Sequence, residues 1–346
     1  MKDMPRKQDS AAFIFIERMA SLHIFNPDTD YALAADSAYY TAPARIVALR
    51  KENALLPALY AETGDSILLM DEPADSVENL KYHHLAATKC LTILTPGEVA
   101  GNPDSVSALQ PNPWGWNRQI RKWLIEMSDG KISGIPTEAG LSKLRELSHR
   151  RTTIAFLKEM EDMLDPDIRI PEEVSSTARG LSAFRSERRL YFKAPWSSSG
   201  RGILLTDDLE EKHVEPWIRG IIRKQGSVMM ERAYDRKLDF ATEWHCRDGE
   251  AVFLGYSVFN VSRRGKYQSN TDGTQESLLD LIKTATPKWN TEFTERQKVS
   301  IEKLIAPFYT GPLGIDMLVT GTGAVHPCVE INLRHTMGMI NLKRSR

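Results

Sequence analysis

The feature that most restricts the fold of this chain is a pair of apolar runs near its C-terminal end, within residues 311–334. The runs at 314–319 and 324–333 flank Thr320-Gly321-Thr322-Gly323, which is typical of a β-hairpin turn. Because side chains alternate between the two faces of a strand, such a hairpin has one apolar and one polar face. The sequence therefore predicts a half-buried antiparallel sheet in this region. The side chains expected on the apolar face are Ile315, Met317, Val319, Val329, Ile331 and Leu333.

The polar face of this hairpin carries acidic residues that need a compensating charge. A turn centred near 322–323 places Asp316 opposite Glu330, and two facing carboxylates in a half-buried sheet repel and are costly to desolvate. Asp316, Glu330 and Asn332 offer only oxygen ligands, the set that Mg²⁺ prefers beside substrate phosphates. Arg334, on the same face, can neutralise part of the charge or hold an anionic substrate. The alternative is a solvent-facing hairpin with scattered polar residues.

A second pattern is a small-residue loop between two short strands, within residues 192–203. Lys193 ends the first strand, and a lysine ammonium is a point charge suited to a phosphate. Backbone N–H groups in loops of small residues approach an anion closely, as in phosphate-binding nests. The loop differs from the P-loop, which ends Gly-Lys-Ser/Thr before a helix. A plain flexible hairpin is the alternative. The loop residues are Ser197, Ser198, Ser199, Gly200, Arg201 and Gly202.

An apolar strand that runs into a polar segment follows at residues 228–234. Its end contains Glu231, Arg232 and Ala233, and Asp239 lies eight residues after Glu231. Exposed backbone at such a strand edge can bind adenine, and a nearby carboxylate can bind ribose hydroxyls. A surface-exposed strand end is the alternative interpretation of this segment taken by itself.

Apolar patterning divides the chain into regions. Short apolar runs at 22–25, 66–70 and 91–94 alternate with helical stretches, which predicts an α/β N-terminal unit with a parallel sheet over residues 19–110. Residues 111–150 are predicted to be a mostly helical connection. An amphipathic helix and then runs of strands broken by a few helices predict an α+β region over residues 151–342.

Taken in this order, the motifs resemble those of the ATP-grasp superfamily. Its pattern has a lysine strand, a small-residue phosphate loop, an adenine hinge and a late Asp…Glu-x-Asn metal hairpin. The matching segments here are Lys193, 197–202, 230–233, and Asp316 with 330–332; the stretch Glu-Ile-Asn-Leu-Arg at 330–334 resembles the Glu-x-Asn-x-Arg of carboxylase- and ligase-type members. The resemblance implies two subdomains, about 151–232 and 233–342, that clasp a nucleotide. It also implies that the preceding α/β unit is similar to a pre-ATP-grasp domain.

The resemblance implies roles for single residues. Asp316, Glu330 and Asn332 would hold Mg²⁺, with Glu330 bridging two ions. Lys193, Arg201 and Arg334 would supply positive charge during phosphoryl transfer, and the 197–202 loop would close over the phosphates. The residues implied to contact the rest of ATP are Glu231, Arg232 and Ala233 at the adenine and Asp239 at the ribose.

The function that the resemblance implies is an ADP-forming carboxylate–amine ligase. It would activate a carboxylate as an acyl phosphate and join it to an amine or thiol, so its partners would be small molecules. Resembling enzymes are often dimers, so a homodimer is one expected assembly. Two alternatives stay open: a degenerate ATP-grasp module that binds nucleotide without turnover, and an ATP-grasp kinase that phosphorylates a non-carboxylate acceptor.

The sequence departs from the family pattern at three places, one of which is Asp239, where the ribose-binding residue is commonly the longer Glu. Another phosphate-binding lysine is usual near the start of the grasp, where this chain has Ser148-His149-Arg150-Arg151. Several ligases have an arginine two residues before the metal-binding Asp, where this chain has Gly314. These departures concern the phosphate and substrate contacts and leave the metal hairpin intact.

Composition limits the remaining classes of function. The net charge is -1, from 45 basic and 46 acidic residues, which gives no general electrostatic reason to expect nucleic acid or an anionic membrane as partner. No apolar run approaches the ~18 residues of a membrane span. Three cysteines far apart do not form a disulfide framework, so a reducing compartment is the simpler interpretation. We therefore expect a cytoplasmic protein.

Overall fold

The computed structural model describes residues 18–197, 200, 202–262, 265 and 267–344. Within them the strands form three sheets: one parallel sheet of four strands and two antiparallel sheets of four and five strands. No helix in these residues is both long and apolar enough to cross a bilayer.

The parallel sheet is the centre of the N-terminal region, with strand order β3-β2-β1-β4. β1 (Ser21–Ile24) pairs with β2 (Ser66–Leu68) and β4 (Gln110–Pro113), and β3 (Thr92–Leu94) forms the far edge. The apolar runs predicted the first three strands, whereas β4 was not predicted, because prolines occupy two of its four positions. Such residues fit only at an edge, which is where β4 lies.

Helices surround this sheet and lead away from it. The helix α5 packs on the parallel sheet through Ile120 and Leu124, whereas α6 packs on the five-stranded sheet through Leu141 and Leu144. The two helices therefore join the sheets. The helices are α1 (Thr29–Ala35), α2 (Ala44–Glu52), α3 (Val77–Thr88), α4 (Pro96–Gly101), α5 (Arg118–Met127) and α6 (Glu138–Leu147), with 3₁₀ turns at Leu56–Leu59 and Pro103–Val106.

The four-stranded antiparallel sheet has the order β5-β8-β6-β7, and α8 and α9 pack against it. The preceding helix α7 falls within the range 151–232, but its Phe156 and Leu157 lie in the core of the five-stranded sheet. The elements are α7 (Thr152–Glu159), a 3₁₀ turn (Glu161–Met163), β5 (Glu172–Val174), α8 (Thr177–Ser186), β6 (Leu190–Lys193), β7 (Ile203–Leu205), α9 (Glu211–Gln225) and β8 (Val228–Arg232).

The five-stranded antiparallel sheet has the order β11-β10-β9-β12-β13 and contains the largest core. The last helix, α12, returns to the parallel sheet, where Ile340 packs against Phe25, Tyr60 and Trp114. The elements are β9 (Arg236–Arg247), β10 (Glu250–Val261), β11 (Tyr267–Asn270), α10 (Gln275–Ala285), α11 (Thr291–Leu304), β12 (Gly311–Thr320), β13 (Val325–Asn332) and α12 (Met337–Arg344).

The hairpin β12–β13 has the predicted pairing of Asp316 with Glu330. The register then shifts, and the next pair is Leu318 with His326, so β13 has two more residues than β12 between these pairs. Such a bulge changes which side chains face the core. The prediction for Val329 is therefore wrong: Val329 lines a cleft, and Cys328 takes a place in the core.

Candidate functional site

The two antiparallel sheets meet at a cleft that gathers most of the predicted site residues. A pocket of about 60 Å³ is lined by Lys193 of β6, Asp239 of β9, Asp316 of β12 and Glu330 of β13. A second pocket, of about 170 Å³, shares Asp316 and Glu330. Its further polar lining residues include Glu243, Asn332 and Arg334.

Lys193 is held inside the cleft by a carboxylate on the neighbouring strand. The Nζ of Lys193 donates to Oε2 of Glu231, and both side chains are almost completely buried. Glu231 and Arg232 line a narrow pocket beside this pair, together with His326. Ala233 differs from its neighbours, because its N–H donates to the carbonyl of Arg189 at 3.1 Å and the residue is buried. The structure thus brings Glu231 and Arg232 to the pocket, while Ala233 closes the strand end.

The predicted phosphate loop is described at Ser197, Gly200 and Gly202, whereas Ser198, Ser199 and Arg201 lie outside the described residues. Both glycines have positive φ, 71° at Gly200 and 69° at Gly202. A Cβ on Gly202 would lie 2.9 Å from the Cβ of Ser197, so the turn needs glycine there.

Arg150 connects the base of this loop to the hairpin. Its Nε donates to the carbonyl of Ala194 at 3.0 Å, and its Nη2 donates to the carbonyl and hydroxyl of Ser197 at 3.1 and 3.2 Å. Its Nη1 lies 2.7 Å from Oε2 of Glu330. Burial opposes the guanidinium charge, but the Glu330 carboxylate raises the pKa of Arg150 above its usual value. Ser197 therefore anchors the loop through Arg150.

Asp316 is the least compensated carboxyl group of the cleft. Burial, followed by repulsion from Glu330 and Glu243, raises its pKa to about 8. Within the described part of the chain, the only hydrogen bond to it comes from Nδ2 of Asn332, at 3.3 Å. Asp316 therefore binds a proton readily unless a cation is present.

Arg334 lies between the cleft and the N-terminal region. Its Nε donates to Oδ2 of Asp30 at 3.0 Å and its Nη2 to Oδ1 of Asn332 at 2.8 Å. Asp30 belongs to α1, directly after the parallel strand β1. Burial raises the pKa of Asp30, and the neighbouring Arg334 opposes that shift. The orientation of the Arg334 guanidinium is thus set by Asp30 of the N-terminal region and by Asn332 of the hairpin.

Glu243 is a site residue that the motifs did not indicate. Its carboxylate is buried in the 170 Å³ pocket and accepts from the hydroxyls of Ser257 at 2.8 Å and Thr336 at 2.9 Å. Burial raises its pKa to about 7. A Cβ on Gly314 would lie 2.9 Å from Oε2 of Glu243, which explains glycine at this departure from the family pattern. The sequence did carry one signal for Glu243. It lies four positions after Asp239 on the same strand, so the two side chains share one face of β9.

The charge of the cleft fits a divalent cation. Asp30, Glu243, Asp316 and Glu330 interact electrostatically with two guanidiniums, those of Arg150 and Arg334. Among the described residues these four carboxyl groups exceed the two guanidiniums by two negative charges when all are ionised, and the pairs Lys193–Glu231 and Arg236–Asp239 add no net charge. In the described part of the chain, no three His, Cys, Asp or Glu side chains form a metal-holding group. An ion here would therefore need the amide oxygen of Asn332 and phosphate oxygens beside two carboxylates.

Neither a protein-family model nor a curated protein sequence matches the chain. Solved structures do match it. The biotin carboxylase domain dimer of 2-oxoglutarate carboxylase from Hydrogenobacter thermophilus, in complex with MgADP, ADP and bicarbonate, has a TM-score of 0.54 at 11% identity, over 94% of this chain and 69% of that chain. Biotin carboxylase from Campylobacter jejuni has a TM-score of 0.53 at 11% identity, over 94% and 71%.

A second type of enzyme also matches. N5-carboxyaminoimidazole synthetase from Staphylococcus aureus, complexed with ADP, has a TM-score of 0.52 at 11% identity, over 92% of this chain and 71% of that chain. All of these proteins are ATP-grasp enzymes. At such low identity the similarity concerns the fold, which agrees with the two antiparallel sheets and the preceding parallel sheet. The chain therefore has the fold of these ATP-grasp enzymes, as the order of its motifs predicted.

Proposed function

We propose that this chain is an ATP- and Mg²⁺-dependent, ADP-forming ligase that activates a carboxylate as an acyl phosphate and joins it to an amine or thiol. The observation that carries the proposal is the meeting of Lys193, from one antiparallel sheet, with Asp316 and Glu330, from the other, in one cleft. A lysine facing an acidic pair across a cleft suits a nucleotide phosphate chain with its metal ion. The MgADP and bicarbonate in one structural neighbour support the same ligand classes here.

The chain's own residues supply positioning and charge. Phosphoryl transfer needs no protein nucleophile, because orientation and charge neutralisation provide most of the catalysis. In our proposal Lys193 holds ATP phosphates, and Arg334 binds the charge of the acyl phosphate. Arg201 would be a third cation. The loop from Ser197 to Gly202 would close over the phosphates and exclude water, which protects an acyl phosphate from hydrolysis.

The remaining roles follow the same geometry. Asp316, Glu330 and Asn332 would hold Mg²⁺, which neutralises phosphate charge when it is bound. Glu231 and Arg232 would contact the adenine from the narrow pocket, and Asp239 would meet the ribose. Arg236 donates to Asp239 at 2.6 Å, so the ribose would compete with this pair.

The organisation of the molecule is part of the proposal. The N-terminal unit of residues 19–110, the connection of 111–150 and the ATP-grasp region of 151–342 would act together, with substrate specificity residing in the first two. A homodimer is the proposed assembly, and light scattering of the full chain at several concentrations would measure it.

The test has two steps. Thermal unfolding of the full chain is measured with Mg²⁺-ATP and with ATP plus EDTA. A ligand at about a hundred times its dissociation constant adds ~2.7 kcal/mol, so we expect a metal-dependent rise of several degrees. Glu330→Gln should abolish the rise, whereas Glu295→Gln, on the exposed face of α11, should keep it. ADP release is then screened with pairs of carboxylates and amines.

A second candidate function is nucleotide binding without turnover. It is favoured by the lack of the usual early lysine in residues 148–151, where Arg150 already contacts Glu330 and Ser197. A metal-dependent thermal shift without ADP release for any carboxylate–amine pair would support it. ADP release with a hydroxyl acceptor alone would indicate a kinase. The absence of any shift in the wild-type chain would contradict all three functions.

A further inference from the structure

The 170 Å³ pocket of the cleft has an apolar wall beside the acidic hairpin. The residues of this apolar wall are Phe259, Val261, Tyr267 and Met337. Phe259 pairs with Asp239 of β9, which is two positions from Ala241, the residue that pairs with Asp316. Because paired residues on neighbouring strands point to the same face of a sheet, Phe259 lies on the face that carries Asp316.

The edge strand β11 extends the apolar wall beyond the smaller pocket. Tyr267 of β11 pairs with Val261, and its ring lies 6.3 Å from that of Phe259. Phe259 and Val261 line both the 60 Å³ and the 170 Å³ pocket, whereas Tyr267 and Met337 line only the second of these two. The part of the wall formed by Tyr267 and Met337 is therefore separate from the pocket that contains Lys193.

These side chains are accessible from the pocket. Phe259, Val261 and Tyr267 are each only partly buried, and Met337 is 39% exposed. A ligand that covers such apolar surface gains free energy because the surface is removed from water. Apolar and aromatic side chains around a few polar groups are typical of small-molecule sites.

The charged groups of the 170 Å³ pocket restrict the polar part of a ligand. Among the described residues, Arg334 is the one cationic side chain that lines it, and Glu243, Asp316 and Glu330 are the acidic ones. A single carboxylate can therefore bind at Arg334. A second carboxylate in the same pocket would meet like charges and would have no cation of its own.

Arg334 has donors left for such a carboxylate. Its side chain is 16% exposed. In the described part of the chain, Nη1 donates to the carbonyl of His335 at 3.1 Å and Nη2 to Oδ1 of Asn332 at 2.8 Å. Each of these nitrogens carries two hydrogens, so one N–H on each is left.

We propose that the carboxylate substrate is a monocarboxylate with an uncharged aromatic body, whose carboxylate binds at Arg334 and whose ring packs against Phe259, Tyr267 and Met337. This inference rests on the proposed ligase function, which places the activated carboxylate at Arg334. An aromatic body suits the wall better than an aliphatic one, because edge-to-face or offset contacts between rings add to the gain from buried area. A methionine sulfur beside a ring adds a further favourable contact.

The experiment measures binding by titration calorimetry of the full chain, with and without Mg²⁺ and a non-hydrolysable ATP analogue. The ligands are 3-phenylpropanoate, propanoate, which lacks the ring, and succinate, which has a second carboxylate in place of the ring. We expect 3-phenylpropanoate to bind about a hundredfold more tightly than propanoate, because its ring is buried against the apolar wall. Succinate should bind no more tightly than propanoate. A preference for succinate, equal binding of 3-phenylpropanoate and propanoate, or no binding of 3-phenylpropanoate at millimolar concentration would overturn the proposal.

Variants separate the wall from the fold. Tyr267→Ala should lower the ratio of the two affinities, 3-phenylpropanoate over propanoate, about tenfold. A partial loss of folded protein does not change this ratio, because both ligands bind the same site. Tyr267→Phe retains the ring and should retain the ratio. Phe308→Ala removes a ring that is 57% exposed and is not among the residues that line the pocket, so it is the control. An unchanged ratio in Tyr267→Ala would contradict the proposal.

Turnover is measured separately, as ADP release with hydroxylamine as the amine. The carboxylate oxygen attacks the γ-phosphorus and ADP leaves; the hydroxylamine nitrogen then displaces phosphate from the acyl carbon and loses a proton, which gives a hydroxamate. Tight binding of 3-phenylpropanoate without ADP release would contradict the ligase function and leave the ligand class intact. ADP release only with small or acidic carboxylates would overturn this inference and leave the ligase function intact.

Discussion

Glu243 shows how a single buried carboxyl group can set a pH dependence. It is 1% exposed, and its oxygens face Ser257, Thr336 and the backbone of Gly338. The nearest opposing charge is that of Arg334, which is itself bonded to Asp30. Ionisation of Glu243 in the folded chain is therefore unfavourable, while in the unfolded chain it occurs at an ordinary pH.

The sign of the effect follows from linkage. The pKa of Glu243 is raised from 4.5 to about 7 on folding, so the folded chain binds more protons between these values. The free energy of unfolding therefore falls as the pH rises from about 4.5 to about 7, by roughly 3 kcal/mol from this group. We expect Glu243→Gln, which stays neutral, to lose this dependence and to be more stable than the wild type at pH 8.

Urea unfolding at several pH values from 4.5 to 8 would measure the difference between the two chains. Glu295→Gln is the matched control, since Glu295 is exposed. If the curves of Glu243→Gln and wild type run parallel through this range, then Glu243 is not protonated on folding. The same substitution should also ease ionisation of Asp316, because Glu243 is one of the charges that raise its pKa.

At the scale of elements, the hairpin β12–β13 has one feature that the sequence predicts and one that it does not. The facing of Asp316 and Glu330 follows from a local turn and strict alternation, so the sequence predicts it. The bulge that turns Val329 toward the cleft has no such signal, because its position depends on packing against the core. The strand β4 was not predicted for a similar reason. Its pairing with β1 outweighs the low β-propensity of its own residues, which local patterning reflects.

Other contacts of the site could not be predicted because they join distant segments. Arg150 is 180 positions from Glu330, and hydrogen bonds join His23, Asn112 and His335 from three distant segments of the chain. Local periodicity carries no information about such pairings. The order of motifs predicted the fold and the residues around the cleft, whereas the counter-charges that hold those residues needed the structure.

The loop offers a prediction at this scale. Gly202→Ala places a Cβ 2.9 Å from Ser197 and 3.1 Å from Ala194 at a φ of 69°, so we expect a loss of about 1–3 kcal/mol in stability. The base of the loop would move, and the Mg²⁺-ATP thermal shift should weaken. Gly220→Ala, in α9 with open space around it, should instead gain about 1 kcal/mol. Equal effects of the two substitutions would show that the Gly202 turn is not constrained.

For the whole molecule, the contact of Arg334 with Asp30 is a charged link between the cleft and the N-terminal region. Both side chains are 16% exposed, so each depends on the other for compensation. Removal of one partner from a buried pair typically costs about 3–5 kcal/mol, since a charge stays buried alone. Asp30→Ala and Arg334→Met should each be destabilising, and the double variant should lose clearly less than the sum.

A double-mutant cycle by urea unfolding would measure this coupling, which we expect at about 1–3 kcal/mol. The exposed pair of Lys303 and Glu159, 2.7 Å apart, is the control and should give less than about 1 kcal/mol. Additive effects of Asp30→Ala and Arg334→Met would contradict the role of this pair in joining the two regions.

The same contact has a consequence for synthesis of the chain. Asp30 and Arg334 lie 304 positions apart, and domains generally fold from the N-terminal end as they leave the ribosome. A nascent chain that ends before β12 already contains Lys193 and Glu231. It contains neither Asp316 nor Arg334, whose guanidinium pairs with Asp30 of α1. Asp30 therefore has no contact with Arg334 until almost every other residue has been added to the chain. A stop codon before residue 316 should thus leave a chain whose Asp30 never meets Arg334 and whose cleft lacks both carboxylates of the hairpin.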